Sequence, residues 1–263
     1  MTSYLRRGVW SLALFVLCVA AGGVLIQPAH ADAPLLSKRA TLRVMPLGDS
    51  ITAGIAANGA MVRDGGYRGT LGKLLEDAGY DVEFVGSRTD YSSAIENRAH
   101  EGWPGYVLRS FPADPGPGQL LGEVTQKAIA RDDADVILLM AGTNDLMRHD
   151  RHVAGYTLAH IERSMDLLLA QILRERPTMH VIVAPVVASP TVSLLTLDHF
   201  NTDLNWLVAK YARRGYAISL ASEMADAVPR DAGHFPDGIH PCGDGGYAAI
   251  AGVWLEAIER ITD

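Results

Sequence analysis

The sequence predicts an α/β protein with a five-stranded parallel sheet covered by helices on both faces. Three observations predict it. Short apolar runs alternate along the chain with longer segments of helical periodicity. The intervals between the runs are mostly long enough to hold a crossover helix, as parallel neighbours require. Two runs, Val136–Met140 and Val181–Ala184, are apolar throughout, the pattern of strands buried on both faces.

Taken in order, the first strand is Leu42–Leu47, and it runs into Gly48-Asp49-Ser50. Helix Tyr67–Ala78 follows, then strand Val82–Val85. The stretch Ser87–Gly118 is rich in Gly, Pro, Asp and Ser, and a loop of that length in a compact domain is functional or disordered. Helix Leu120–Arg131 leads to strand Val136–Met140. Helix Leu158–Arg174 carries Ile161, Met165, Leu168, Leu169, Ile172 and Leu173 at helical spacing. Strand Val181–Ala184, helix Leu197–Arg213, strand Ala217–Leu220 and helix Tyr247–Ile261 complete the pattern. No internal repeat, low-complexity segment or second-domain linker interrupts it.

The N-terminus is expected to leave the mature protein. Arg6 and Arg7 precede an apolar stretch from Val9 to Ile26, and Ala29-His30-Ala31 fits a small-x-small cleavage site. Residues 1–31 therefore read as a secretory signal peptide, and residues 32–263 as one domain in a secreted protein. The apolar stretch is also long enough to serve as a membrane anchor; cleavage leaves no stable membrane association. Cys18 lies inside the apolar run after Leu17, which does not suit lipidation. Removal of the leader takes Arg6 and Arg7 with it and moves the formal charge from −7 to −9. That acidity argues against nucleic acid as a partner. Only Cys242 survives, so no intramolecular disulfide forms.

Four segments lie at predicted strand ends: Gly48-Asp49-Ser50, His100-Glu101-Gly102-Trp103, Gly142-Thr143-Asn144-Asp145 and Asp237-Gly238-Ile239-His240. Loops after parallel strands converge on one edge of the sheet. Together the segments supply what acyl transfer needs. Ser50 is a nucleophile that requires a base within hydrogen-bond reach. His240 takes its proton and returns it to the leaving alcohol. Asp237 orients the imidazole and stabilises its charged form. The backbone N–H groups of Ser50 and Gly102 and the Asn144 amide are the candidate oxyanion donors. Each segment read singly is a capping turn or a surface loop; their joint occurrence at strand ends is what points to chemistry.

The set resembles the SGNH, or GDSL-type, hydrolases, through Ser50, Gly102, Asn144, His240 and the Asp237-to-His240 block. That resemblance implies the three-layer, flavodoxin-like SGNH hydrolase fold. A narrower similarity, to the family-3 carbohydrate esterases that include acetyl xylan esterases, rests on four segments. They are Val44–Thr52, Gly65-Gly66-Tyr67-Arg68, Phe84-Val85-Gly86-Ser87 and His100–Gly105. It implies removal of O-acetyl groups from polysaccharide by a serine mechanism without metal or other cofactor. Trp103, Tyr67 and Arg68 are the candidate substrate-binding residues. A lipase or thioesterase on other acyl esters is the first alternative, and a catalytically silent carbohydrate-binding protein on the same fold the second. The histidines of Arg148-His149-Asp150-Arg151-His152 read as a solvated loop and Cys242 as a packing residue. Asp49 is expected to organise the turn around Ser50 through backbone hydrogen bonds.

Overall fold

The computed structural model describes residues 40–57, 64–90, 93–108 and 121–262. All fall within the unit Ala31–Asp263. The predicted signal peptide lies outside the described residues, as do residues 91–92 and 109–118 of the long loop.

The strands are β1 (Leu42–Gly48), β2 (Val82–Phe84), β3 (Glu101–Gly102), β4 (Val136–Met140), β5 (His180–Val183) and β6 (Ile218–Leu220). Five of them form a parallel sheet in the order β2-β1-β4-β5-β6. The sixth, β3, is a two-residue strand that pairs parallel to the last two residues of β1. Short strands of this length carry no periodicity, so the sequence pattern does not mark it.

The helices are α1 (Ser50–Ala53), α2 (Tyr67–Asp77), α3 (Leu121–Arg131), α4 (Thr143–Asp150), α5 (Leu158–Glu175), α6 (Leu194–Ala212) and α7 (Ala248–Thr262). Alternate residues of the strands face opposite layers. Met45, Leu47, Ile137, Leu139, Val181 and Val183 pack with α3, α5 and α6 in one core. Val44, Val136, Leu138, Met140 and Ile182 pack with α2 and α7 in the other. This three-layer sandwich is the architecture that the resemblance implies.

Boundaries differ from the sequence pattern mainly where caps decide them. Helix α6 begins at Leu194, not Leu197, because Ser193 accepts a hydrogen bond from Thr196 N–H and caps the helix there. Leu194 and Leu195 are exposed, which is why the apolar stripe starts one turn later. Helix α7 is preceded by a π-helical turn, Gly243–Tyr247.

The strand order fixes where a site forms. From β1 the chain moves outward to β2, and from β4 it moves the other way to β5 and β6. The reversal lies between β1 and β4. Crevices at the carboxyl ends of strands open at such a switch point. Ser50 follows β1 and Asn144 follows β4, so both stand at its edge.

Candidate active site

Ser50 opens α1, a single helical turn. Asp49 caps that turn, its Oδ1 accepting from Ile51 N–H at 3.0 Å. Asp49 is fully buried, and burial raises its carboxyl above the ordinary range while the Ile51 N–H acts against that rise. The Ser50 N–H is the first of the helix and has no intrahelical acceptor.

The loop bearing Asp237 and His240 reaches Ser50 from across the sheet edge. Thr191, in the segment after β5, donates to the Gly238 carbonyl from its N–H at 3.0 Å and its Oγ1 at 2.6 Å. Phe235, buried in the core, anchors the same loop. His240 Nδ1 donates to Asp237 Oδ2 at 2.7 Å, and Ser50 Oγ donates to His240 Nε2 at 2.9 Å. The Nδ1–H tautomer follows from the carboxylate, which only accepts. Asp237 Oδ1 takes two backbone N–H bonds, from Ile239 at 2.9 Å and His240 at 2.8 Å. Partial burial pushes the Asp237 carboxyl up, but its bonds to His240 and Ile239 outweigh this and hold it below the ordinary value.

Gly102 does not sit as the sequence suggests. Its N–H donates to His100 Nδ1 at 3.0 Å and is turned into the protein, so it is not a free oxyanion donor. A different pressure keeps glycine there. A Cβ at this position would lie 2.3 Å from Ala53 N and 2.6 Å from Ala53 Cα. Gly102 lets β3 pack directly on α1.

Asn144 is the second residue of α4, and its Nδ2 donates to the Tyr106 carbonyl at 2.9 Å. One amide hydrogen remains for a ligand. The next residue, Asp145, accepts from Leu108 N–H at 3.2 Å on both oxygens. Complete burial pushes the Asp145 carboxyl up to about 8, against that N–H and the Arg148 cation. Neighbouring side chains thus clasp the Trp103–Leu108 loop to α4. Within that loop Tyr106 N–H bonds to the Trp103 carbonyl at 3.2 Å, and Gly105 takes φ 77°. Positive φ at the third residue of Trp103-Pro104-Gly105-Tyr106 is the type II arrangement, which favours glycine. The Gly105 N–H has no hydrogen-bond acceptor among the described residues. In the sequence Pro104-Gly105 is a turn signal, but nothing local marks the Gly105 N–H as a donor.

Trp103 is half-buried. Its ring lies 5.1 Å from that of Tyr106, with the Arg88 guanidinium 4.5 Å over its face. Its Nε1 donates to Glu101 Oε2 at 2.9 Å. Glu101, itself buried, also accepts from Ser87 N–H and Arg131, each at 2.6 Å. Trp103 is therefore fixed at the start of the loop that Asn144 clasps.

Tyr67 and Arg68 do not line the cleft. Both are 0% exposed. The turn Gly65-Gly66, with φ of 74° and 66°, aims the start of α2 inward. Tyr67 packs 6.2 Å from Trp254, and burial raises its hydroxyl to about 12. The Arg148–His152 segment is absorbed structurally. His149 Nδ1 donates to the Tyr156 carbonyl at 2.8 Å. Asp150 accepts from Ser193 N–H and Thr196 Oγ1, each at 2.6 Å, next to the start of α6.

Comparison with known proteins adds relatives to this geometry. The family model described as GDSL-like Lipase/Acylhydrolase matches residues 47–248. A multidomain esterase of Ruminococcus flavefaciens is 30% identical over 251 residues, which cover 87% of this chain and 30% of that protein. The chain therefore spans under a third of that relative. A family 3 carbohydrate esterase of Clostridium thermocellum superposes with TM-score 0.66 at 23% identity, over 85% of this chain and 100% of that one. A carbohydrate esterase family 3 protein of Talaromyces cellulolyticus gives 0.62 at 22%, over 84% and 98%. A lipase/acylhydrolase of Enterococcus faecalis gives 0.58 at 15%, over 84% and 96%. At these identities the superpositions establish the shared fold.

Proposed function

Because this chain belongs to the GDSL-like lipase/acylhydrolase family, a class of carboxylic ester hydrolases, we propose that it is a secreted serine esterase. Its substrate in this reading is a short acyl ester, chiefly O-acetyl, on carbohydrate. The observation that carries the mechanism is the continuous chain Ser50 Oγ, His240 Nε2, His240 Nδ1, Asp237 Oδ2 at 2.9 and 2.7 Å.

Ser50 Oγ attacks the ester carbonyl carbon as His240 Nε2 takes its proton. Asp237, held ionised, stabilises the imidazolium that results. The carbonyl oxygen becomes an oxyanion, and the donors are the Ser50 N–H, the second Asn144 amide hydrogen and the Gly105 N–H, which replaces that of Gly102. Collapse breaks the C–O bond to the alcohol, which leaves with the proton from His240. Water then attacks the acyl-Ser50 ester by the same proton route in reverse and releases the acid.

Two features support the carbohydrate ester. Trp103 and Tyr106 give an aromatic edge on the loop that Asn144 holds, suited to the apolar face of a sugar. Family 3 carbohydrate esterases share the fold. The signal-peptide pattern of residues 1–31 supports secretion, where a polymer is accessible.

The test is a panel of p-nitrophenyl esters from acetate to palmitate beside acetylated xylan. Acetate is expected to give the highest kcat/KM, with acetic acid released from the polymer. Rates rising steadily with acyl length, with no release from xylan, would make the protein a lipase instead.

A further inference from the structure

The segment Gly65-Gly66-Tyr67-Arg68, which the sequence places at the cleft, packs instead behind the helix that carries Ser50. Helix α1 has four residues. One turn does not hold its own shape in water, and its carbonyls need partners at the carboxyl end. Gly54, at φ 84°, donates its N–H to the Ser50 and Ile51 carbonyls at 3.1 and 3.2 Å, and Ile55 N–H donates to Ser50 at 3.0 Å. The next carbonyl, Thr52, accepts from Arg68 Nη1 at 2.5 Å. The Ile55 carbonyl accepts from the Tyr247 hydroxyl at 2.5 Å. Gly66 lies against Gly54 so closely that a Cβ on it would fall 2.7 Å from the Gly54 Cα.

Arg68 is an unexpected residue for this place. It is fully buried, and its Nε and Nη2 have no partner among the described residues. Unmade hydrogen bonds on a buried cation are unfavourable, and an apolar side chain would fill the space with less penalty. What a guanidinium adds is a donor to the Thr52 carbonyl and a cation at the carboxyl end of α1, where the helix dipole favours one.

We propose that Arg68 and Tyr247 are positioning residues that clamp the carboxyl end of α1 and so set Ser50 Oγ against His240. The proposal rests on Ser50 being the nucleophile. A displacement of the order of 1 Å at the reacting atom is enough to lower a rate by about 10²-fold.

The test uses the full chain with p-nitrophenyl acetate. kcat and KM are measured for Arg68→Gln, Arg68→Lys, Tyr247→Phe and Ser50→Ala, with near-ultraviolet circular dichroism at the assay temperature to count folded protein. Arg68→Gln is expected to lower kcat about tenfold or more with KM within about twofold. Tyr247→Phe is expected to lower it about threefold. Arg68→Lys, which keeps one donor, recovers part of the loss. The rate of Ser50 phosphonylation by a fluorophosphonate falls in the same order. Melting temperatures that drop while kcat per folded molecule stays at the wild-type value overturn the proposal. If Arg68→Gln does not fold, Tyr247→Phe, which removes a single hydroxyl, decides on the same criterion. Ser50→Ala that still hydrolyses the ester removes the nucleophile and this proposal together. An inactive Ser50→Ala beside a wild-type Arg68→Gln overturns the clamp alone.

Discussion

His240 and His100 both bear on helix α1, and their surroundings make them opposites. His240 touches α1 through Ser50 Oγ, and His100 holds the N–H of Gly102, whose backbone lies on Ala53. The His240 side chain is 15% exposed and gives its Nδ1–H to a carboxylate. Its Nε2 lone pair faces a hydroxyl. The His100 side chain is wholly buried. Its Nδ1 accepts a backbone N–H, so its proton sits on Nε2, directed at the Asp90 carbonyl 3.1 Å away. Burial, joined by the Arg68 cation, keeps the His100 ring neutral well below the ordinary imidazole range. A base needs a lone pair aimed at its proton donor and a counter-charge on its other nitrogen. His240 has both; His100 has the Asp90 carboxylate 3.3 Å from its Nε2, but its Nδ1 lone pair is already taken by the Gly102 N–H.

The largest effect tests that contrast directly. His240→Ala is expected to lower kcat on p-nitrophenyl acetate by on the order of 10⁵ or more, as removing a base from a triad does. Steady-state kinetics on folded protein check it. Residual activity near wild type would move the base elsewhere and erase the distinction between the two histidines. Asp237→Asn keeps a side chain of the same shape beside His240 Nδ1 and removes its charge. It is expected to lower kcat by about 10³ to 10⁴, because the amide no longer fixes the tautomer or stabilises the imidazolium. KM should change little. A loss of under tenfold would show that Nδ1 needs a hydrogen-bond partner but not a charge.

Asn144→Ala comes next, with an expected loss of about 10² to 10³ in kcat. Asn144 also ties the Tyr106 carbonyl to α4, so the comparison with Asp145→Ala matters. The latter removes the acceptor of the Leu108 N–H, and with it the neighbouring tether of the same loop. Were loop tethering the whole role of Asn144, the two variants would lose similar amounts. The oxyanion role requires Asn144→Ala to lose at least about tenfold more.

The same contrast explains what could be read from the sequence. The hydrogen-bonded grouping of Ser50, His240 and Asp237 was legible because complementary chemistry identifies partners, and the place of Asn144 because loops after parallel strands converge on one edge. The layers were legible because Val136–Met140 and its neighbours are apolar on both faces. Gly102 was not legible as a packing glycine, because a close approach between Gly102 and Ala53 is a tertiary fact with no local signature. Tyr67 and Arg68 were misplaced for a related reason. Their position in the chain is near the cleft, but side-chain direction depends on the φ values of Gly65 and Gly66. An arginine at a helix start is ordinarily exposed, so nothing in composition hinted at its burial.

The smallest effect on rate comes from His100, and there the readout is stability. The ring is neutral in the folded protein, whereas in the unfolded chain it titrates near the ordinary value of about 6.5. Below that pH the unfolded state binds a proton that the folded state does not, so stability rises with pH across this window. The contribution is complete above about 6.5 and is lost as pH falls toward the depressed folded value. His100→Asn places an amide oxygen within reach of the Gly102 N–H and removes the titration. Its melting temperature should therefore fall less steeply than that of wild type between about pH 7 and pH 4. Both proteins should lose stability further below, where Asp237 and other carboxylates protonate. At pH 7 kcat should stay within about threefold, since β3 keeps its place on α1. A variant with the wild-type slope would mean that His100 is not held neutral. A kcat loss comparable with that of His240→Ala would place both histidines in the chemistry.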